Sequence, residues 1–235
     1  AGHDLNYIGL SGALHYASPA GNVPQTPPTL LGDIGGGALY LVIGILSGLL
    51  RVKEIGEGSV VDAAIVDGSA HMMNLWMSMQ ETGSVEMKRG KSLLDGPHWS
   101  RCYICSDGKY ISVQCLEPKF YSIFLETLGI DNDPLLKTQH EKDQWGAQTV
   151  YLSKIFKKKP QAYWVNRFSD LDACVAPILD PEEAESDPHM KSRKIWAREN
   201  GYLMASPAPR FDNNEPKTLQ PETIIDKKDI VSTWT

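Results

Sequence analysis

The chain has 235 residues, 42% hydrophobic and 22% charged, enough for one or two domains with a buried core. Its 23 Lys and Arg against 29 Asp and Glu give a formal charge of −6, which argues against an electrostatic nucleic-acid footprint. Four cysteines without a secretory leader or a second CxxC pair fit reduced thiols in an intracellular protein.

The chain opens Ala1-Gly2-His3-Asp4-Leu5-Asn6-Tyr7. Residues 18–28, rich in Pro, Gly, Asn and Thr, read as an irregular loop. A long helix is then predicted from Thr29 or Asp33 to near Gly56, carrying Leu31-Gly32-Asp33-Ile34-Gly35-Gly36-Gly37 at its start. Its apolar run of 17 residues, Ile34 to Leu50, sits at the lower edge of a membrane span. Gly44-x-x-x-Gly48 within it is read as the close approach of two buried helices, so no membrane span is expected. The alternation in 58–67 (GSVVDAAIVD) predicts a strand, and 68–80 a buried helix rich in Met and Trp.

Residues 81–98 read as a polar linker. Trp99–Ile104 and Lys109–Cys115 flank Ser106-Asp107-Gly108, a hairpin signal. Glu117-Pro118 opens a helix to about Leu128, since Pro is tolerated in a first turn. Helices follow at 146–157 and 161–169, a strand at 173–179, and a short helix capped by Asp180. Residues 193–211 read as strands with turns, and the Pro- and Asp-rich tail gives no element. Cys102-Tyr-Ile-Cys105 lies in a strand, where residues three apart face opposite sides, so it is not read as a zinc or redox pair, and no metal is expected. Lys157-Lys158-Lys159 reads as a solvated helix end. His71, His98, His140 and His189 belong to no motif, and Met72, Met73, Trp76, Met77 and Met79 read as core or, in part, as an adaptable acyl surface.

His3-Asp4-Leu5-Asn6-Tyr7 after Gly2, with Asp33 thirty positions after His3, resembles the α-methylacyl-CoA racemase branch of the family III CoA-transferase/racemase (CaiB/BaiF) superfamily. Further phrases fit in the same order: 58–68, Asp107-Gly-Lys-Tyr-Ile111, Leu116-Glu-Pro-Lys-Phe-Tyr121 and Asp172-Ala-Cys-Val-Ala-Pro177. The resemblance implies an α/β fold with a partial Rossmann-like large domain, a small α/β domain, and protomers interlocked as a homodimer. It implies residues 1–80 as the later part of the large CoA-binding domain, 81–98 as linker, 99–190 as the small domain and 191–235 as a return segment. It also implies that the chain starts in mid-protein, without the family's N-terminal segment, which leaves activity of the chain alone in question.

The implied chemistry is inversion at the α-carbon of a 2-methyl-branched acyl-CoA, by proton transfer through an enolate. Such inversion needs an acid and a base on opposite faces of that carbon. His3 and Asp33 would be the pair, with Asp33 in an apolar setting and amides at the helix start holding the enolate oxygen. Glu117, contributed from the small domain, would orient His3. Gly2, Asp4, Leu5, Asn6 and Tyr7 would line the thioester. Taken singly, Asp33 is most simply an N-cap and Glu117 a first-turn acid; only the joint match reverses that. No cofactor is implied, because CoA belongs to the substrate, and the expected compartment is cytoplasmic in a bacterium or peroxisomal or mitochondrial in a eukaryote. Two other readings stay open: a family III CoA-transferase with Asp33 as nucleophile, and a non-catalytic CoA-binding relative.

Overall fold

The computed structural model describes residues 1–212. Contacts divide the chain into two units, Ala1–Pro177 and a second that starts at Ile178. The architecture mixes helices and strands, with helices alone in the first 98 residues.

The first unit starts with α1 (Asp4–Leu10) and a single 3-10 turn (Ala13–Tyr16). Leu30–Ala38 is wound as a wide π-helix and runs straight into α2 (Leu39–Ile55). Gly56, at φ 72°, stops α2 with the left-handed cap that glycine takes without strain. Then come α3 (Ile65–Met72) and α4 (Asn74–Gln80), separated by a break at Met73.

The π-helix crosses α3 at the Gly36–Gly68 contact. A Cβ on Gly68 would overlap the carbonyl oxygen of Gly36, and one on Gly36 would come within 2.9 Å of the Ser69 amide. Only a pair of glycines lets these backbones touch. Ser69, fully buried, donates to the Ile65 carbonyl at 2.7 Å, and its Oγ lies 2.9 Å from Ser11 Oγ, a hydroxyl pair that ties α3 to the end of α1.

Three expectations for this part change. Residues 58–64 have no regular secondary structure and form no strand, and 65–67 already belong to α3. A strand needs a neighbour to complete its ladder, and among the described residues none precedes Ser100; Val60 is 98% exposed. The close approach of Gly44 is to Val61 of this irregular segment, not to a second helix. Finally, α2 has no buried residue: Leu39, Ile43, Leu46 and Leu50 are exposed along it. Leu30–Ile55 makes 26 continuous helical residues, long and apolar enough to cross a bilayer by length and composition. Those two properties do not identify a membrane helix, and its glycines pack on protein backbone and side chains.

The rest of the unit follows the sequence closely. Strands β1 (Ser100–Ile104) and β2 (Tyr110–Gln114) form an antiparallel hairpin with Ser100 opposite Gln114, and β3 (Val175–Ile178) lies beside β2. Around the sheet stand α5 (Pro118–Leu128), α6 (Trp145–Phe156) and α7 (Gln161–Phe168). Trp99, Tyr103, Ile111, Val113, Phe124, Leu152, Phe156 and Phe168 belong to one core between sheet and helices. Before Trp99, the buried hydrophobic side chains are Ile8 and Val85. The segment read as linker is partly buried: Ser92 and His98 are fully enclosed.

The second unit holds α8 (Pro181–Ser186), α9 (Pro188–Ser192) and the hairpin β4 (Trp196–Glu199) with β5 (Tyr202–Ala205). Asp180 caps α8 by accepting from the Glu183 amide at 2.8 Å, as its position suggested. Most of the tail lies outside the described residues. All four cysteines of the chain are free, with Cys102 exposed and Cys105 buried, as expected of strand neighbours three apart.

Candidate functional site

His3 is the N-cap of α1, in extended conformation, and its backbone amide donates to Asn6 Oδ1 at 3.0 Å. Asn6 is thus the reciprocal half of a cap and holds the start of the helix. The His3 side chain is exposed.

Asp4, next along, turns inward and is 6% exposed. Its Oδ1 accepts from the Gly32 amide at 2.9 Å and from the Asp33 amide at 3.0 Å. A Cβ on Gly32 would collide with that same oxygen, so glycine at 32 is what admits the carboxylate. The two motifs of the sequence, 28 residues apart, are therefore one structural joint. Bond lengths along this joint keep the Cα atoms of His3 and Asp33 no more than about 12 Å apart.

Asp33 itself is exposed in the first turn of the π-helix, and Leu30 and Ile34 beside it are exposed too. The apolar enclosure expected around this carboxyl is not supplied by the described residues. The expected oxyanion donors also change. The Gly32 and Asp33 amides are taken by Asp4, and Ile34 N–H donates to the Thr29 carbonyl at 3.1 Å. An enolate oxygen cannot draw on these three donors without breaking an existing bond.

Glu117 is the N-cap of α5, exposed, and its side chain neither caps the helix nor bonds His3. Leu5 and Asn6 are exposed on α1. Tyr7 is half-buried, its ring close to Gly2, where a Cβ would sit 3.1 Å from Cζ. The structure thus joins His3, Asp4 and Asp33, keeps Gly2 to Tyr7 around them, and leaves Glu117 apart.

A cavity of about 530 Å³ lies in the same unit, lined by Gly12, His15, Tyr16, Met73, Met77 and Met87 among others. Tyr16 stacks on Trp76 with ring centroids 4.0 Å apart, and the His15 ring lies 3.3 Å from the Met87 carbonyl. Sequence reading placed Met73 and Met77 in a core-or-acyl cluster but missed His15, Tyr16 and Met87. The signal was weak, because His15 and Met87 meet across 72 residues. No group of three or more His, Cys, Asp or Glu among the described residues could hold a metal ion.

The CoA-transferase family III model matches residues 1–222. The alpha-methylacyl-CoA racemase of Mus musculus is 35% identical over 211 residues, 89% of this chain and 55% of that protein. The alpha-methylacyl-CoA racemase of Homo sapiens is also 35% identical, over 91% of this chain and 56% of its own length. The chain therefore spans about half the length of these curated relatives. Among solved structures, a CAIB/BAIF family protein from Brucella suis superposes with a TM-score of 0.76 at 20% identity, covering 100% of this chain and 62% of that one. That likeness concerns the fold, and the sequence match carries the relationship: the chain belongs to CoA-transferase family III.

Proposed function

We propose that the protein of which this sequence is read is an α-methylacyl-CoA racemase, inverting the α-carbon of 2-methyl-branched acyl-CoA thioesters by 1,1-proton transfer. The observation that carries the proposal is the Asp4 joint, which holds exposed His3 and exposed Asp33 at either end of one buried carboxylate. One of the two removes the α-proton to leave an enolate, and the other returns a proton to the opposite face. Atoms balance with no redox cofactor and no metal, CoA being part of the substrate. His3, a side chain that changes charge near neutrality, suits either direction. Asp33 must act as an acid in one direction, and the bound acyl chain or a second surface supplies the enclosure that the carboxyl needs for this.

In this reading, Glu117 orients the His3 imidazole from the small domain of the other protomer of a homodimer. Two observations support this: the two side chains do not bond within one chain, and α2 presents exposed apolar residues. The methionine-lined cavity takes the acyl chain, since unbranched thioethers adapt to chains of varied shape. A second reading, acyl transfer with Asp33 as nucleophile, is favoured by the open, unhindered position of its carboxylate.

The test uses the intact protein with a single-enantiomer 2-methylacyl-CoA in D2O, following α-deuterium by NMR. Exchange with inversion, lost in His3→Ala and in Asp33→Ala, is the expected result. Acyl transfer to an added carboxylate that needs Asp33 but not His3 would instead make it a transferase.

A further inference from the structure

Away from this site, a cavity of about 370 Å³ lies in the first unit, against the first turn of α6. Four cations line it, Arg89, Lys91, Arg101 and Lys142, against one carboxylate, Asp143. In a chain of net charge −6, this is a local inversion of sign. Lys91 pairs with Asp143 at 3.3 Å, and Lys142 with Glu86 at 2.6 Å.

The two arginines have no carboxylate partner. Arg89 donates to the carbonyls of Ala17, Ser18, Pro19 and Asn22, at 2.9–3.1 Å, and Arg101 to those of Asp95 and Gly96 at 3.2 and 3.1 Å. Carbonyl oxygens fix the guanidinium planes but cancel no charge. At the cavity wall, Gln144 gives α6 no side-chain cap, and Gly146 has open space where a Cβ would stand. The helix start thus adds its own partial positive charge to an accessible surface.

We infer that this cavity binds a small phosphate-bearing ligand, through Lys91, Lys142 and the fixed field of Arg89 and Arg101. The four cations less Asp143 and Glu86 leave two positive charges, which the roughly two negative charges of a phosphate ester balance and a single carboxylate does not. The volume is in the range of small-molecule sites. Nothing in the inference depends on the racemase chemistry.

The experiment is calorimetric titration of pyrophosphate into the full protein at low ionic strength, with inorganic phosphate and ADP as parallel arms. Saturable binding that weakens at least about tenfold in the double variant Lys91→Gln/Lys142→Gln is expected. That variant keeps both arginine clamps, and its thermal melt by circular dichroism reports whether it folds. Asp143→Asn, which removes the carboxylate in the cavity lining and frees Lys91, is expected to tighten binding. Tighter binding of ADP than of pyrophosphate would identify a nucleotide phosphate as the ligand, and equal binding a free one. Absence of saturable binding at millimolar pyrophosphate, or affinity unchanged in both the lysine and the Asp143 variants, overturns the inference. Loss of racemase exchange leaves these readouts untouched.

Discussion

Oδ1 of Asp4 accepts the backbone N–H of Asp33 at 3.0 Å, and that single acceptor, shared with the Gly32 amide, fixes the start of the π-helix against the start of α1. Its partner oxygen, Oδ2, is buried without a hydrogen bond, so the carboxylate is held by one edge only. Asp4→Ala removes two charge-assisted bonds and leaves two amides unpartnered, costing about 3 kcal/mol. Asp4→Asn keeps an acceptor oxygen and costs less. Urea unfolding of the two variants checks the order, and equal stability of wild type and Asp4→Ala would show that the joint is not holding the site.

The Gly36–Gly68 crossing predicts a sharp contrast between glycines. Gly68→Ala sets a methyl into the Gly36 carbonyl oxygen, where backbone on both sides cannot give, and costs at least about 3 kcal/mol. Gly58→Ala meets nothing within 4 Å and changes stability by only a few tenths of a kcal/mol. Thermal melts of the pair decide it.

This contrast also marks how far the sequence could be read. Alternating β-branched residues and a Ser-Asp-Gly turn reported β1, β2 and the hairpin, and a proline one residue after Glu117 reported the start of α5, because those signals act within a few residues. The same alternation misled at 58–64, where a strand pattern has no strand to pair with. His3 and Asp33 were legible only as a joint match to a family. Their connection was not, since it runs through a side chain to a backbone amide 29 positions away. That inward turn sets the Asp4 carboxylate on the backbone amides of the π-helix, a contact that its place in the motif does not announce. The exposure of α2 was likewise invisible: its composition reads as core, yet its leucines and isoleucines stay exposed in the folded chain.

Thiol reactivity should divide the four cysteines. Burial pushes the Cys115 thiol up to about 12, so it is neither accessible nor a thiolate near neutrality. Cys105 is also buried, and burial raises it too. Cys102 and Cys174 are exposed. A thiol reagent applied to the folded protein is expected to modify Cys102 and Cys174 only, with Cys105 and Cys115 following in denaturant. Peptide mass mapping checks this, and early labelling of Cys115 would contradict the core around it.

The proposed function puts the acyl chain in the methionine-lined cavity, which predicts a chain-length effect. Met77→Ser removes apolar surface from that wall, and lost burial of one such side chain amounts to about 1.5 kcal/mol, close to tenfold in KM for long acyl chains. A short-chain substrate that does not reach the wall keeps its KM, and kcat is unchanged for both. Equal effects on long and short chains would place the acyl group elsewhere.

His98 gives the fold its acid sensitivity. The side chain is fully buried, with Nε2 2.8 Å from Tyr121 Oη, and that hydroxyl donates onward to the Leu136 carbonyl at 2.9 Å. Tyr121 therefore accepts from His98, which assigns the proton to Nε2 and leaves Nδ1 as a bare, unpartnered acceptor. Burial first, then the positive charges of Arg101 and His140, lower its pKa from 6.5 to about 3. The unfolded chain takes up this proton as pH drops below 6.5, while the fold refuses it down to about 3. Stability is thus unaffected by His98 above 6.5 and falls below it, by up to about 1.4 kcal/mol per pH unit. Urea midpoints measured at about pH 7.5 and about pH 5 should show this slope in the wild type and lose that share of it in His98→Gln, whatever the variant's absolute stability. An identical slope in both proteins would assign the acid sensitivity to other groups.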